Sequence, residues 1–93
     1  MPALRVIRKQ TEANVMLEFE FKVKGNEFTI KNFTGGDILV CAEQEYDESK
    51  TIMIPSNMAE IIKISDTSKF TNKILVMPFQ ASTRGVEVQC NDW

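Results

Sequence analysis

The sequence predicts an all-β chain, a two-sheet antiparallel β-sandwich of about eight strands, with jelly-roll connectivity one of the arrangements open to it. Three observations carry this. Val15, Leu17, Phe19, Phe21 and Val23 alternate with Glu18, Glu20 and Lys22, and a period of two buries one face of a strand and wets the other. Short β-branched or aromatic runs recur along the chain at near-regular spacing. Gly, Asn and Pro divide them, which is the pattern of a sandwich or barrel.

Taken in order, residues 4 to 9 form a short first strand, and polar residues 10 to 14 lead into the long strand from Val15 to Val23. Lys24-Gly25-Asn26 then reads as a tight hairpin, since Gly and Asn tolerate positive φ, so the second and third strands are expected to pair antiparallel. In the third strand Phe28, Ile30 and Asn32 share one face and Thr29, Lys31 and Phe33 the other. Thr34-Gly35-Gly36-Asp37 is a break, and Ile38 to Ala42, apolar at every position, predicts a central strand covered on both sides.

After a charged loop from Glu43 to Lys50, Thr51 to Ile54 resumes β-branched alternation until Pro55 removes a backbone donor. Residues 56 to 64 carry two signals. Asn57 and Glu60 have the spacing of a helix capping box, whereas Ile62 and Ile64 alternate with Lys63. A short β-branched run is an indifferent helix former, which favours strand. Lys73 to Phe79 reads as a strand that Pro78 demotes to an edge or a bulge. Val86 to Cys90 is the last strand.

Ninety-three residues make one domain, 1–93, and a chain of this length buries roughly two thirds of its unfolded surface, an adequate but thin core. With 43% hydrophobic and 26% charged residues the composition is that of a folding domain. Lys+Arg 11 against Asp+Glu 13 gives a net charge of -2, which supplies no basic field for phosphate backbones, so no nucleic-acid partner is expected. No apolar run reaches the roughly 20 residues of a spanning helix, and no basic-then-apolar signal segment is apparent. The expectation is a chain without a membrane partner, cytoplasmic on synthesis.

Histidine is absent, which removes Ser-His-Asp and Cys-His catalysis, imidazole-based zinc sites and the commonest general base near neutral pH. The remaining carboxylates, lysines and cysteines show no recognisable catalytic arrangement, so neither an enzyme nor a cofactor is expected. Cys41 and Cys90 stand far apart and belong to no metal-binding pair. They read as buried thiols, with a disulfide open if their strands meet. Asn32-Phe33-Thr34 matches a glycosylation acceptor, and Arg5, Arg8 and Lys9 form a small basic group.

Candidate contact residues are therefore sought on the outside. Glu43, Glu45, Asp47 and Glu48, with Tyr46 among them, could meet a basic partner or a calcium ion, although the order of a calcium-binding loop is missing. Phe19, Phe21 and Phe28 read as core. Tyr46 and Trp93 are the aromatic residues whose burial the pattern does not enforce, and a Trp is a strong apolar anchor.

The run from Phe28 to Val40, followed by an acidic loop and Ile52-Met53-Ile54-Pro55, resembles small β-sandwich virion proteins of tailed bacteriophages and prophages, over about a third of the chain. The resemblance implies a non-enzymatic head, neck or tail component, repeated around a symmetric assembly and residing in the virion. It makes Asn32, Thr34, Ile38, Val40, Ile54 and Pro55 determinants of the fold and not contact residues. The function expected is a structural or interaction module, a homo-oligomer or virion subunit that docks through strand edges and apolar anchors. A carbohydrate- or cell-surface-binding module and a small intracellular inhibitor of a basic partner protein are the alternatives.

Overall fold

In the computed structural model, which describes residues 5–92, the chain is one long antiparallel ribbon wrapped on itself. The described strands are β1 (Val6–Thr11), β2 (Leu17–Gly25), β3 (Glu27–Asn32), β4 (Ile38–Cys41), β5 (Thr51–Ile54), β6 (Ala59–Lys63), β7 (Thr71–Pro78) and β8 (Ser82–Asp92). β4 pairs with β5, β3 with β6, β2 with β7 and β1 with β8, four nested antiparallel pairs closed by the β4–β5 loop. Wrapping adds the β3–β8 and β4–β7 pairs and splits the ribbon into two four-stranded sheets, β1-β8-β3-β6 and β2-β7-β4-β5. That order is a jelly roll.

This topology corrects three expectations. β2 and β3 do not pair. Successive pairs of the wrapped ribbon fall in opposite sheets, so Gly25 and Asn26 carry the chain across the sandwich. Neither has a positive φ; the described residues that do are Asn14, Asn57 and Gly85. Gly25 is instead required by close approach, since a Cβ there would stand 2.5 Å from Cys90 Sγ and 2.8 Å from the Asp92 carbonyl oxygen. Pro78 does not mark an edge either: β7 lies between β2 and β4, and Pro78 ends it. No later ladder bond is lost there, and its carbonyl accepts the Asn14 N–H at 2.9 Å.

Alternation delivers the core. Phe19, Phe21, Ile74, Val76, Ile38, Val40 and Ile54 from one sheet meet Phe28, Ile30, Val86, Val88 and Cys90 from the other, each large apolar side chain contributing about 1.5–3 kcal/mol by leaving water. The long alternation of β2 is buried only in its middle. Val15 precedes the strand, and Val23 lies within the register irregularity between Glu20 and Gly25, so both are exposed. β4 is central as expected, but Leu39 on its outer side is only half-buried. Residues 59–63 are strand, and Asn57, at φ 62, makes a turn and not a helix cap.

A buried polar knot holds the wrap. Asn32, at the end of β3, points its carboxamide inward, where Nδ2 donates to the carbonyls of Gly36 (2.9 Å), Ile54 (3.0 Å) and Pro55 (3.1 Å). Its Oδ1 accepts from Thr34 N–H at 2.9 Å and lies 2.7 Å from Thr34 Oγ1. One side chain thereby ties the end of β3 to the turn before β4 and to the end of β5 in the other sheet. Ser56 Oγ adds a bond to the Thr34 carbonyl. Asn32 and Thr34 are 1% and 0% exposed, which also shuts the glycosylation motif away from solvent.

Gly85 completes this end. Its φ is +72, and a Cβ would collide with the Lys9 carbonyl oxygen, where β1 pairs irregularly with β8. Removing a buried group that satisfies several partners costs more than removing one bond. Asn32→Ala is therefore expected to destabilise the chain by about 3 kcal/mol in urea denaturation, against about 1 kcal/mol for Ser56→Ala. Equal effects would show that the carboxamide is not the hub.

Candidate functional site

The connections gather at two ends of the sandwich. At one, joined through Asn32, lie the loops before β2, β4, β6 and β8, cross-linked by bonds such as Phe79 N–H to Asp37 O and Phe33 N–H to Gly85 O. At the other lie the β2–β3 crossing, the β4–β5 loop and the β6–β7 loop, with Asn26 N–H bonded to Asp92 O. The acidic residues singled out from the sequence occupy this second end.

The β4–β5 loop is built, not slack. Gln44 Nε2 donates to Thr71 Oγ1 at 2.9 Å and to Asn72 Oδ1 at 3.1 Å, anchoring the loop to β7. Asp47 caps a 3₁₀ turn at Glu48–Lys50, its Oδ1 accepting from Ser49 N–H at 3.0 Å and Ser49 Oγ at 2.6 Å. These bonds hold the Asp47 carboxyl below the ordinary carboxylate range, the side-chain bond contributing most. Asp66 and Ser68 repeat the arrangement in the β6–β7 loop.

Glu43, Glu45, Tyr46, Asp47 and Glu48 are brought together around an open hollow of about 610 Å³, with Lys50 held 3.5 Å from Glu43. Among the described residues no three acidic or sulfur side chains converge as a metal site would require. Tyr46 is half-buried. Burial first, then the Glu48 carboxylate and the Cys41 sulfur, raise its phenol above the ordinary value. It is less of an exposed platform than the sequence suggested. Trp93 lies outside the described residues.

Sequence reasoning missed two surfaces. The first is the outer face of the β2-β7-β4-β5 sheet, where register aligns Met77, Leu39 and Met53 in one apolar row. The row ends on β5, whose Ile52 and Met53 are 41% and 55% exposed. The second is a basic cluster. Arg8 and Arg84 lie with their guanidinium carbons 4.5 and 5.7 Å from the Phe33 ring centroid, and Arg8 Nε donates to the Arg84 carbonyl at 3.0 Å. Arg8 was in view as a charge; its neighbours 25 and 76 residues away could not be, since only the β1–β8–β3 order assembles them.

The thiols are free and buried, Cys41 in one sheet and Cys90 in the other. Burial pushes the Cys90 thiol up, against weaker opposing effects of the Asp92 backbone and Arg5. Among the described residues no helix is long and apolar enough to cross a membrane.

Two outcomes are expected. Both thiols stay unreactive toward an aromatic disulfide reagent at neutral pH and react on unfolding, which a spectrophotometric assay with and without denaturant checks. The Asp47 cap stabilises its turn above the ordinary carboxylate range and is lost as pH falls through the depressed value. In a carboxyl-carbon NMR titration Ser49→Ala, which removes the hydroxyl bond and keeps the backbone one, moves Asp47 up toward the ordinary range; an unmoved titration would refute this cause.

Compared with known proteins, the chain matches no family model, no curated protein and no solved structure, so its role is argued from its own surfaces.

Proposed function

We propose that this chain is a non-enzymatic assembly module, a virion component of the tailed-phage type, that self-associates or docks into a larger structure through a strand edge and the apolar side chains around it. The observation that carries the reading is the edge at β5. A sheet edge presents unpaired backbone groups, and proteins usually blunt it with charge. Three edges of this sandwich are blunted so: β1 carries Arg8 and Lys9, β2 carries Glu18, Glu20 and Lys22, and β6 carries Glu60 and Lys63. β5, Thr-Ile-Met-Ile, carries no charge, and its exposed Ile52 and Met53 present apolar groups toward both faces of the sheet.

A partner strand added to β5 would extend the β2-β7-β4-β5 sheet, supply the missing backbone partners and cover Ile52 and Met53 together. In a second copy paired antiparallel, the Met77-Leu39-Met53 row would run on into its symmetry mate. Methionine suits such a surface because its flexible thioether adapts to what it meets. The jelly roll, an architecture common among viral shell proteins, supports the virion assignment; of the residues that the resemblance made fold determinants, Asn32, Thr34, Ile38, Val40 and Ile54 are buried, and Pro55 is exposed with its carbonyl bonded to Asn32. A glycan-binding role is less favoured, since Tyr46 is half-buried within its own loop.

Met53→Lys places a charge on the outer side of the edge and leaves the core untouched. Light scattering coupled to size exclusion is expected to show concentration-dependent association of the wild-type chain, weakened about tenfold or more in the variant at unchanged far-ultraviolet dichroism. A wild-type chain that is strictly monomeric at high concentration and captures no partner on co-expression would overturn the reading.

A further inference from the structure

We infer that Arg8, Phe33 and Arg84 form a carboxylate-binding platform whose occupant is the acidic β4–β5 loop of a second copy, giving the chain a head-to-tail contact. The inference rests on the assembly reading and adds a contact distinct from the β5 edge.

The platform is pre-organised. Ser82 Oγ accepts the N–H groups of Arg84 and Gly85 at 3.2 and 3.1 Å, shaping the turn at the start of β8. Phe33 is tied to that turn by its own N–H, which donates to the Gly85 carbonyl at 3.0 Å. The Phe33 ring then lies within cation–π distance of both guanidinium groups. Arg8 commits only Nε to the Arg84 carbonyl, leaving its two terminal nitrogens, the fork that receives a carboxylate in bidentate fashion.

Neither arginine has a carboxylate within ion-pair distance among the described residues. Glu87, opposite Arg8 in register, pairs instead with Lys31 at 3.4 Å. Two exposed, like-charged groups held on one ring without an ion-paired carboxylate repel each other, and an anion relieves that repulsion.

The complementary charge is on the opposite end of the same molecule. β4 runs from the turn that follows Phe33 to the acidic loop, so platform and loop lie at opposite ends of that strand. Within the loop Lys50 neutralises Glu43 and Ser49 holds Asp47, while Glu45 and Glu48 have no cation within ion-pair distance among the described residues. Opposite ends of opposite charge make a heterologous contact, which closes into a ring or extends as a filament and does not stop at a two-fold dimer. Charge complementarity of this kind fixes register and orientation more than it adds affinity.

The test uses two full-length chains that both carry Met53→Lys to silence the β5 edge. One also carries Arg8→Gln and Arg84→Gln, the other Glu45→Gln and Glu48→Gln. Each has one intact end, and sedimentation velocity at low salt is expected to show each alone as a monomer and the mixture as a 1:1 heterodimer. That heterodimer should weaken about tenfold or more at high salt. Two chains of normal dichroism that fail to form the heterodimer, or that form it without salt dependence, overturn the inference and leave the edge reading standing. Failure of the edge reading appears separately, as a wild-type chain whose self-association Met53→Lys does not weaken.

Discussion

The Asn32 carboxamide is the interaction on which this architecture depends. A jelly roll is a ribbon that must leave one sheet and enter the other at every pair of strands, and each crossing strands backbone groups away from a regular ladder. Asn32 resolves the crossing at the Phe33 end by supplying both a donor and an acceptor in a place that is closed to water. Its Nδ2 serves three carbonyls from two segments and its Oδ1 serves Thr34. Apolar burial supplies more total free energy, but it is non-directional and would tolerate a shifted register. The carboxamide fixes which turn meets which strand end, and so fixes where Phe33 and Gly85 stand.

The same wrap decides what is left outside. Four strands become interior and four become edges, and the charges on β1, β2 and β6 discourage pairing there while β5 lacks any. The loops sort to two ends, one holding a pair of arginines on an aromatic ring and the other a braced acidic loop. The proposed assembly role rests on such surfaces, in a chain that has no histidine and whose two cysteines are buried. In the proposed assembly the uncharged edge would offer backbone bonds and apolar contact and the charged ends orientation, so the two kinds of contact would be complementary in what they contribute.

Much of the fold was legible because alternation is a local property. β3, with Phe28, Ile30 and Asn32 inward, emerges from residue order alone, whereas residues 56 to 64 carry a helix and a strand signal and only favour the strand that the structure places at 59–63. Buried Asn32 could be placed on the core face, yet nothing local showed that it would bond Ile54 and Pro55, more than twenty residues away. The hairpin expected at Gly25 failed because a glycine needed for close approach to Cys90 looks in sequence like a glycine needed for a turn. Pro78 misled because the cost of a missing donor depends on whether the position ends its strand.

The site divides in the same way. The acidic loop is contiguous in sequence and was found there, whereas the Phe33 platform joins residues 8, 33 and 84 and exists only once β8 lies between β1 and β3. Residue order by itself determined an all-β chain, its strand faces and its lack of imidazole chemistry, because the period of two and composition require no partner to be read. The tertiary structure alone decided which strands pair, which edge stays bare and which charges meet, because those depend on how a ribbon of nested pairs closes over a thin core.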